Sequence, residues 1–308
     1  MANAPNLLDR YRGCLMGLAL GDALCAGHEG GPLEQLLWRL IGKAGGLHRY
    51  TDDTQMSLDL AGHFITHRSI VPDVLAADFA RSYRWSRGYG PSTAHVLKQI
   101  RAGADWRVAT RSKHPAGSYG NGAAMRAPVL ALAYLGKPTE MAHAIVAASS
   151  ITHPHPSAIM GARLICLAVA AGLNDVGNAD LLGRLAAVAA GGDYERPLVQ
   201  VRTFMAQADI PEPVILRQTL GTGTAAVESC PGAILLGLRF RDRPIAELVA
   251  YVNKCRGDTD TIAAMAGALW GACNGLERIP EPIWHTVEGH ASIFSTAAGL
   301  HEAACLSA

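Results

Sequence analysis

The chain has 308 residues, of which 49% are hydrophobic and only 17% are charged, and its formal net charge is +1. This length is enough for one large domain with a sizeable buried core. A net charge so close to zero gives no general electrostatic basis for binding nucleic acid or an anionic membrane surface, and we expect neither partner.

Helical hydrophobic periodicity recurs along the whole chain. It predicts a first helix over Leu7–Leu20, a second after the Asp52-Asp53 pair, and a third over Pro72–Tyr83, where proline suits the first helical position. The later predicted helices are Ala94–Arg101, Ala123–Tyr134, Met141–Ser150, Ser157–Ala171, Leu181–Ala190, Pro231–Leu238, Ile245–Asn253, Thr261–Leu276 and Ala291–Ala304. We find no convincing alternation of apolar and polar residues bounded by turns, which is the strand pattern.

The connections are rich in Gly, Pro, Asn and Asp, and no low-complexity linker or fixed-period repeat divides the chain. Thr261–Ala272 carries small residues on most faces, which predicts a central helix that several neighbours approach closely. We therefore expect one compact all-α domain over residues 1–308.

The seven cysteines are scattered and form no CxxC pair. This pattern favours buried free thiols in a reducing compartment. The first residues lack the basic and apolar regions of a signal peptide, and no apolar run reaches the roughly 18 residues of a membrane span. The expectation is a cytoplasmic protein without a membrane span.

Two acidic runs lie far apart, Thr51-Asp52-Asp53-Thr54 and Gly257-Asp258-Thr259-Asp260-Thr261, each directly before a helical pattern. Asp and Thr often cap helix N-termini, which would explain a single aspartate. Two such runs hold more charge than capping uses, and converging carboxylates repel one another without a cation. Carboxylates and hydroxyls suit Mg²⁺, Mn²⁺ or Ca²⁺. Pattern alone leaves capping and a shared metal centre both open.

Three further segments could carry chemistry. Ser118-Tyr119-Gly120-Asn121-Gly122 precedes a small-residue helix, and it is either an anion-binding loop or an ordinary turn. His153 and His155 could contact a ligand, although the chain lacks the spacings of a zinc site. Glu29 lies in a glycine-rich segment, where a solvated loop carboxylate is the simpler interpretation. No P-loop or GxGxxG fingerprint follows a strand, which argues against the usual nucleotide cradles.

Together these motifs resemble the ADP-ribosylglycohydrolase family, from about Cys14 to Asn274, and look closest to its dinitrogenase-reductase-activating type. The resemblance rests on Gly21-Asp22-Ala23-Leu24 with Glu29, the two acidic runs, Ser118–Gly122 and Thr152-His153, in that order. It implies an orthogonal bundle of helices with a cleft that holds two divalent cations, Mg²⁺ or Mn²⁺. The implied metal ligands are Thr51, Asp52, Asp53, Asp258, Asp260 and Thr261. The implied substrate contacts are Tyr89, Ser118, Tyr119, Gly120, Asn121, Gly122 and His153.

The reaction that the resemblance implies is hydrolysis of the C1″ bond between ADP-ribose and a protein side chain, most consistently an arginine. Acid–base chemistry would come from Glu29, Asp52, Asp53 or Asp258. The expected partners are ADP-ribose and an ADP-ribosylated protein, and the expected state is a monomer. Serine-linked or free ADP-ribosyl substrates, a non-catalytic ADP-ribose-binding protein and an unrelated metal-dependent phosphohydrolase stay open.

One segment departs from the family pattern. The chain between Glu29 and Thr51 is apolar and helix-like around Leu33 to Ile41. This departure puts the identity of the modified protein in question more than the chemistry.

Overall fold

The computed structural model describes residues 6–28 and 32–306, and within them the fold consists of α-helices and one short hairpin. The helices are α1 (Leu7–Cys25), α2 (Pro32–Ile41), α3 (Asp52–His67), α4 (Pro72–Ser82), α5 (Pro91–Arg101), α6 (Trp106–Ala109), α7 (Ala127–Ala133), α8 (Pro138–Ser150), α9 (Pro156–Leu173), α10 (Asn178–Ala189), α11 (Glu195–Ala206), α12 (Pro213–Leu220), α13 (Ala226–Arg239), α14 (Ile245–Cys255), α15 (Thr259–Asn274), α16 (Glu281–Trp284) and α17 (His290–Leu306). The hairpin pairs β1 (Lys43–Ala44) with β2 (Leu47–His48) in antiparallel register. The prediction of an all-α fold is confirmed.

The centre of the molecule is the antiparallel pair α1 and α15, which approach each other through glycines. A Cβ atom at Gly17 would lie 2.2 Å from the Gly267 carbonyl oxygen, and one at Gly21 would lie 2.1 Å from the Ala263 oxygen. Such distances are far inside van der Waals contact, so only glycine permits this approach. The pairing places the C-terminal end of α1 beside the N-terminal end of α15.

Helix α15 is surrounded on all sides, as its small residues predict. Residues 259–273 are buried without exception, and α9, α13 and α14 pack around it together with α1. The stripe of Ala and Gly therefore serves close packing on several faces at once. This arrangement fixes the position of the acidic run at the start of α15.

Several helix boundaries differ from the sequence predictions. Helices α11 and α12 were not predicted, because α11 is polar and holds Pro197, and α12 is short. Pro231 does not begin a helix as predicted but lies inside α13, which starts five residues earlier, at Ala226. The predicted helix at Ala123 begins only at Ala127, after a 3₁₀ turn. Local turn geometry and tertiary packing decided these boundaries.

Helix α9 is long and apolar enough to cross a membrane by length and composition, with a mean hydropathy of 1.7 over its 18 residues. It was not recognised as such from the sequence because Arg163 interrupts the apolar run. Of this stretch 67% is buried, and α7, α8, α13 and α15 pack against it. A core helix of a globular fold has these properties.

Candidate metal centre and ligand cleft

The two acidic runs meet where α3 and α15 begin. Asp53 Oδ2 accepts hydrogen bonds from the Thr51 hydroxyl at 2.9 Å and from the Thr261 hydroxyl at 3.3 Å. Carboxylate oxygens of Asp22, Asp53 and Asp260 all lie within 4.8 Å of one another, and all three side chains are buried. Residues more than 200 positions apart in the sequence thus form one oxygen-rich cluster.

Capping does not account for the carboxylates of Asp53 and Asp258. The N-cap of α3 is Thr51, whose hydroxyl accepts the Asp53 backbone N–H at 3.3 Å. The N-cap of α15 is Asp258, yet its carboxylate makes no capping hydrogen bond. Asp258 Oδ2 instead accepts a hydrogen bond from the side-chain amide of Asn121. Of the two alternatives that the sequence left open, capping and a shared metal centre, capping therefore does not explain Asp53 and Asp258.

Asp22 anchors the start of α3, a role that the sequence did not reveal. Its carboxylate accepts the backbone N–H of Thr51 at 2.8 Å, and the backbone N–H and hydroxyl of Thr54 at 3.0 and 2.6 Å. The side chain is fully buried, and burial raises its pKa to about 6 despite these hydrogen bonds. An aspartate in the otherwise apolar second half of α1 was the available sign of this role.

The cluster has the electrostatics of a cation site. Burial raises the pKa of Asp53 well above its ordinary value, and the neighbouring charges of Asp22, Asp52 and Asp258 raise it further. Burial likewise raises the pKa of Asp258. Asp53 Oδ1 is buried and has no hydrogen-bond partner among the residues described. A divalent cation would satisfy this oxygen and offset the repulsion, and an oxygen-only donor set suits Mg²⁺ or Mn²⁺. The residues present therefore fit such a group.

A cleft of about 220 Å³ opens directly above the cluster. The predicted residues that line it are Asp52, Asp53, Ser118, Gly120, Asn121, Gly122, His153, Asp258, Asp260 and Thr261. The sequence did not predict the other lining residues, which are Gly88, Gly90, Pro91, Ser92, Thr93, Met125 and Thr224.

A segment before α13 ties the glycine-rich loop to the second acidic run. The Thr222 carbonyl accepts the backbone N–H of Asp258 at 2.8 Å, and the Thr224 carbonyl accepts that of Asn121 at 2.9 Å. The Asn121 side chain also donates to Ser229 at 3.1 Å. The sequence Gly-Thr-Gly-Thr at 221–224 was the only hint of this role, and it has no periodicity to interpret.

His153 is buried against the glycine-rich loop and is held neutral. Its Nδ1 lies 2.8 Å from the Thr152 hydroxyl. Burial, with smaller contributions from Arg126 and His114, lowers the pKa of the imidazole to about 3. A Cβ atom at Gly122 would lie 2.4 Å from His153 Cε1, so the ring requires glycine there. His153 therefore offers the cleft an uncharged hydrogen-bonding group.

Some predicted site residues lie outside the lining of the cleft. The Tyr89 ring is buried against Tyr83, with ring centroids 4.9 Å apart, although its glycine neighbours line the cleft. Tyr119 is 59% exposed and packs edge-on against His155. Thr51 is buried beneath the carboxylates that it contacts. The predicted catalytic residue Glu29 lies outside the described residues.

Comparison with known proteins identifies the family. The sequence model of the ADP-ribosylglycohydrolases matches residues 3–307. The chain belongs to the ADP-ribosylglycohydrolase family. It is 30% identical to ADP-ribosylhydrolase ARH3 of Xenopus tropicalis, over 97% of this chain and 96% of that protein. It is 28% identical to the ADP-ribosyl-[dinitrogen reductase] glycohydrolase of Rhodospirillum rubrum, over 90% of this chain and 89% of that protein.

A solved structure supports the same fold. An ADP-ribosylglycohydrolase-related protein complex contains a chain that superposes with a TM-score of 0.73 and 23% identity, covering 97% of this chain and 99% of that one. At this identity the likeness concerns the fold. The family relationship makes this ADP-ribosylglycohydrolase a glycosidic-bond hydrolase, as the sequence motifs predicted.

Proposed function

We propose that this ADP-ribosylglycohydrolase removes mono-ADP-ribose from a modified protein side chain, most directly an arginine, with the help of two divalent cations, Mg²⁺ or Mn²⁺. The observation that carries the proposal is the meeting of the two acidic runs at the floor of a polar cleft. Buried carboxylates with raised pKa values are expected where a cation or a reacting group is to be bound.

The residues that would hold the cations are Thr51, Asp52, Asp53, Asp258, Asp260 and Thr261. Such ions, when bound, orient ribose hydroxyls and lower the pKa of a bound water. The hydroxyls of Thr51 and Thr261 both point at Asp53 Oδ2, which places neutral oxygen donors beside the charged ones. Asp22 accepts the backbone N–H groups of Thr51 and Thr54 and so holds the start of α3, with Asp53, in position.

Acid–base chemistry is assigned to carboxylates that border the cleft. Asp52 is half-buried and lines the cleft together with Asp53 and Asp258. Each could accept or release a proton at the reacting C1″ centre, where the transition state has oxocarbenium character. We keep Glu29 as a further proposed catalytic residue on the strength of the sequence motif.

The diphosphate and ribose are assigned to the uncharged wall of the cleft. Ser118, Gly120 and Gly122 present backbone and hydroxyl groups there, next to His153. The first turn of α5, whose N-cap Gly90 makes no side-chain capping bond, also lines the cleft. Free backbone N–H groups at a helix start favour anions, which suits a diphosphate.

The linkage to arginine is the finer part of the proposal, and it rests on the resemblance of the motifs to the dinitrogenase-reductase-activating type. Serine-linked and free ADP-ribosyl compounds are its alternatives. All six proposed metal-ligand positions are occupied by oxygen-bearing side chains, which favours catalysis over simple binding of ADP-ribose. We also propose a cytoplasmic monomer.

The test is release of ADP-ribose from peptides modified at a defined arginine or serine, with Mn²⁺ or with a chelator. We expect Mn²⁺-dependent release from the arginine-linked peptide, and Asp260→Ala should reduce it at least about 100-fold because a proposed ligand is lost. Asp180→Ala is the matched control, since Asp180 is an exposed acid in the first turn of α10.

The outcomes separate the alternatives. Faster release from the serine-linked peptide would replace the arginine assignment without touching the metal centre. Unchanged Mn²⁺-dependent release by Asp260→Ala would overturn the metal assignment. ADP-ribose binding without release from any substrate would overturn the proposed catalysis.

A further inference from the structure

Arg126 is a buried cation that the proposed chemistry does not use. It is 1% exposed, and it forms no ion pair with a carboxylate among the residues described. Burial lowers the pKa of Arg126 to about 9, although the nearby charge of Asp52 acts in the opposite direction. Burying a charge costs free energy, so its retention calls for a specific role. Its guanidinium also lies over the Phe79 ring, 5.2 Å from the centroid.

The donors of Arg126 reach the glycine-rich loop, the end of α8 and the turn that follows it. One nitrogen donates to the Gly122 carbonyl, at the end of the glycine-rich loop. The other donates to the Ala148 carbonyl at 3.0 Å, in the last turn of α8, and to the Thr152 hydroxyl at 2.8 Å. One side chain thus fixes the loop, the helix end and the turn that carries His153.

The contact with Thr152 determines the proton position on His153. A hydroxyl has one proton to donate, and the Thr152 oxygen already accepts from Arg126. Among the residues described, the remaining partner of this hydroxyl is His153 Nδ1, at 2.8 Å. If Nδ1 carried the proton, the buried hydroxyl would have no acceptor for its own proton, which is unfavourable. Nδ1 is therefore the acceptor, and the ring proton resides on Nε2.

The protonated edge of His153 faces the cleft. The side chain is 5% exposed and lines the cleft. Its Nε2 has no hydrogen-bond partner within the described part of the chain. A Cβ atom added at Gly120 would lie 3.3 Å from this nitrogen. A neutral N–H donor in this position complements a ligand oxygen that carries negative charge. Burial keeps the imidazole uncharged across the physiological range.

We propose that Arg126 is a positioning residue that acts through Thr152 to hold the His153 proton on Nε2, aimed at an oxygen of the ADP-ribosyl group. The identity of the ligand rests on the proposed function, whereas the proton position does not. Because His153 belongs to the wall assigned to the diphosphate and ribose rather than to the acid–base carboxylates, it should contribute to substrate binding more than to the chemical step.

Long-range proton–nitrogen NMR spectra of the metal-free, ligand-free protein test the proton position, with His153→Gln used to assign the signals. We expect a protonated Nε2 and an unprotonated Nδ1 in the wild type and in Thr152→Ser, which keeps the hydroxyl. Thr152→Val should shift the proton towards Nδ1. A wild-type proton on Nδ1, or an unchanged spectrum in Thr152→Val, would overturn the proposal that Arg126 and Thr152 determine the proton position on His153.

Steady-state kinetics on ADP-ribosylated peptide test the role in binding. Thr152→Val and Arg126→Lys should each raise KM about tenfold and change kcat less than about threefold, while Thr152→Ser stays close to the wild type. The lysine keeps the charge but cannot reach three acceptors. Equal loss of kcat and unchanged KM would contradict a positioning role in binding. If Arg126→Lys does not fold, the two Thr152 variants decide the matter.

Failure of the proposed function gives a different result. A wild type that releases no ADP-ribose but carries the His153 proton on Nε2 would contradict the proposed substrate. It would still support the proposed role of Arg126 and Thr152. Release of ADP-ribose by a wild type whose His153 proton is on Nδ1 would overturn only the proposed role of Arg126 and Thr152.

Discussion

Asp22 and Asp9 lie at opposite ends of α1, and each accepts backbone N–H groups from another segment of the chain. Asp22 receives those of Thr51 and Thr54 at the start of α3. Asp9 receives those of Leu276 and Glu277, at 3.1 and 3.2 Å, beyond the end of α15. Both are buried, but only Asp22 borders the cluster of carboxylates. The two residues therefore allow a structural contribution to be separated from a contribution to the site.

Asp22→Ala should lower the free energy of unfolding by roughly 2–4 kcal/mol, because buried N–H and hydroxyl donors lose their acceptor. It should also weaken Mn²⁺ binding about 10–100-fold, because Thr51 and Asp53 lose the support beneath them. Urea unfolding and isothermal titration calorimetry measure these two quantities.

Asp9→Ala is the control for this prediction. It should lower stability in the same way and leave Mn²⁺ affinity at the wild-type value. Equal losses of Mn²⁺ affinity in both variants would show that Asp22 acts through general stability. An unchanged affinity in Asp22→Ala would remove its positioning role.

Also at the scale of residues, the sequence predicted the candidate metal ligands and substrate contacts but not the residues that hold them in position. The Asp and Thr runs stand out because carboxylates and hydroxyls are dense there and match a family motif. Asp22, Thr224 and Arg126 contact backbone groups of other segments, namely Thr51, Asn121 and Ala148, and such contacts leave no periodicity in the chain. Only the fold reveals which backbone N–H or carbonyl a side chain meets.

At the scale of elements, the site depends on how closely α1 and α15 pack. Gly17 and Gly267 face each other, and a Cβ atom on either would lie 2.2 Å from the carbonyl oxygen of the other. Any larger side chain must push the helices apart, since the obstacle is backbone rather than a movable side chain. The start of α15 would move with the helix, and with it Asp258 and Asp260.

Gly17→Ala should therefore destabilise the protein by about 3 kcal/mol, although alanine favours helices intrinsically. Gly62→Ala in α3 is the control, because a Cβ atom there would meet nothing within 4 Å. That variant should gain about 0.5–1 kcal/mol. Thermal unfolding of both variants measures the difference, and destabilisation of equal size would refute the close-packing argument.

The helices themselves were largely predictable, because amphipathic or small-residue patterns of eight residues or more mark most of them. The central place of α15 followed from its small residues. Helices α11 and α12 were not predicted, because α11 is polar and contains a proline, and α12 is short, so each leaves only a weak pattern. The antiparallel register of α1 on α15 was not predictable, since it depends on which glycines face each other.

At the scale of the whole molecule, the buried carboxylates link stability to pH and to metal. Burial raises the pKa of Asp22 from 3.8 to about 6, and it raises that of Asp53 and Asp258 in the same direction. The folded, metal-free protein thus holds protons that the unfolded chain releases. For Asp22, the resulting stabilisation is complete below pH 3.8 and is lost as pH rises through about 6.

A bound cation reverses this dependence, because it requires ionised carboxylates. The stabilisation by Mn²⁺, measured as the difference in Tm between Mn²⁺ and chelator at each pH, should be large above about pH 6 and fall towards zero as pH decreases below it. At a Mn²⁺ concentration about 100 times Kd, the expected gain is about 2.7 kcal/mol. Taking the difference removes groups remote from the site, such as Asp59, whose pKa is also about 6.

Asp260→Ala provides the control for the pH profile, because it leaves α15 in place but removes one proposed ligand. In this variant the difference in Tm should be small at every pH, whereas Asp180→Ala should reproduce the wild-type curve. A wild-type difference that stays constant through pH 6 would mean that Mn²⁺ binds elsewhere, at carboxylates with ordinary pKa values. A difference that grows on acidification would contradict the direction of the pKa shifts and, with it, the burial of the site as their cause.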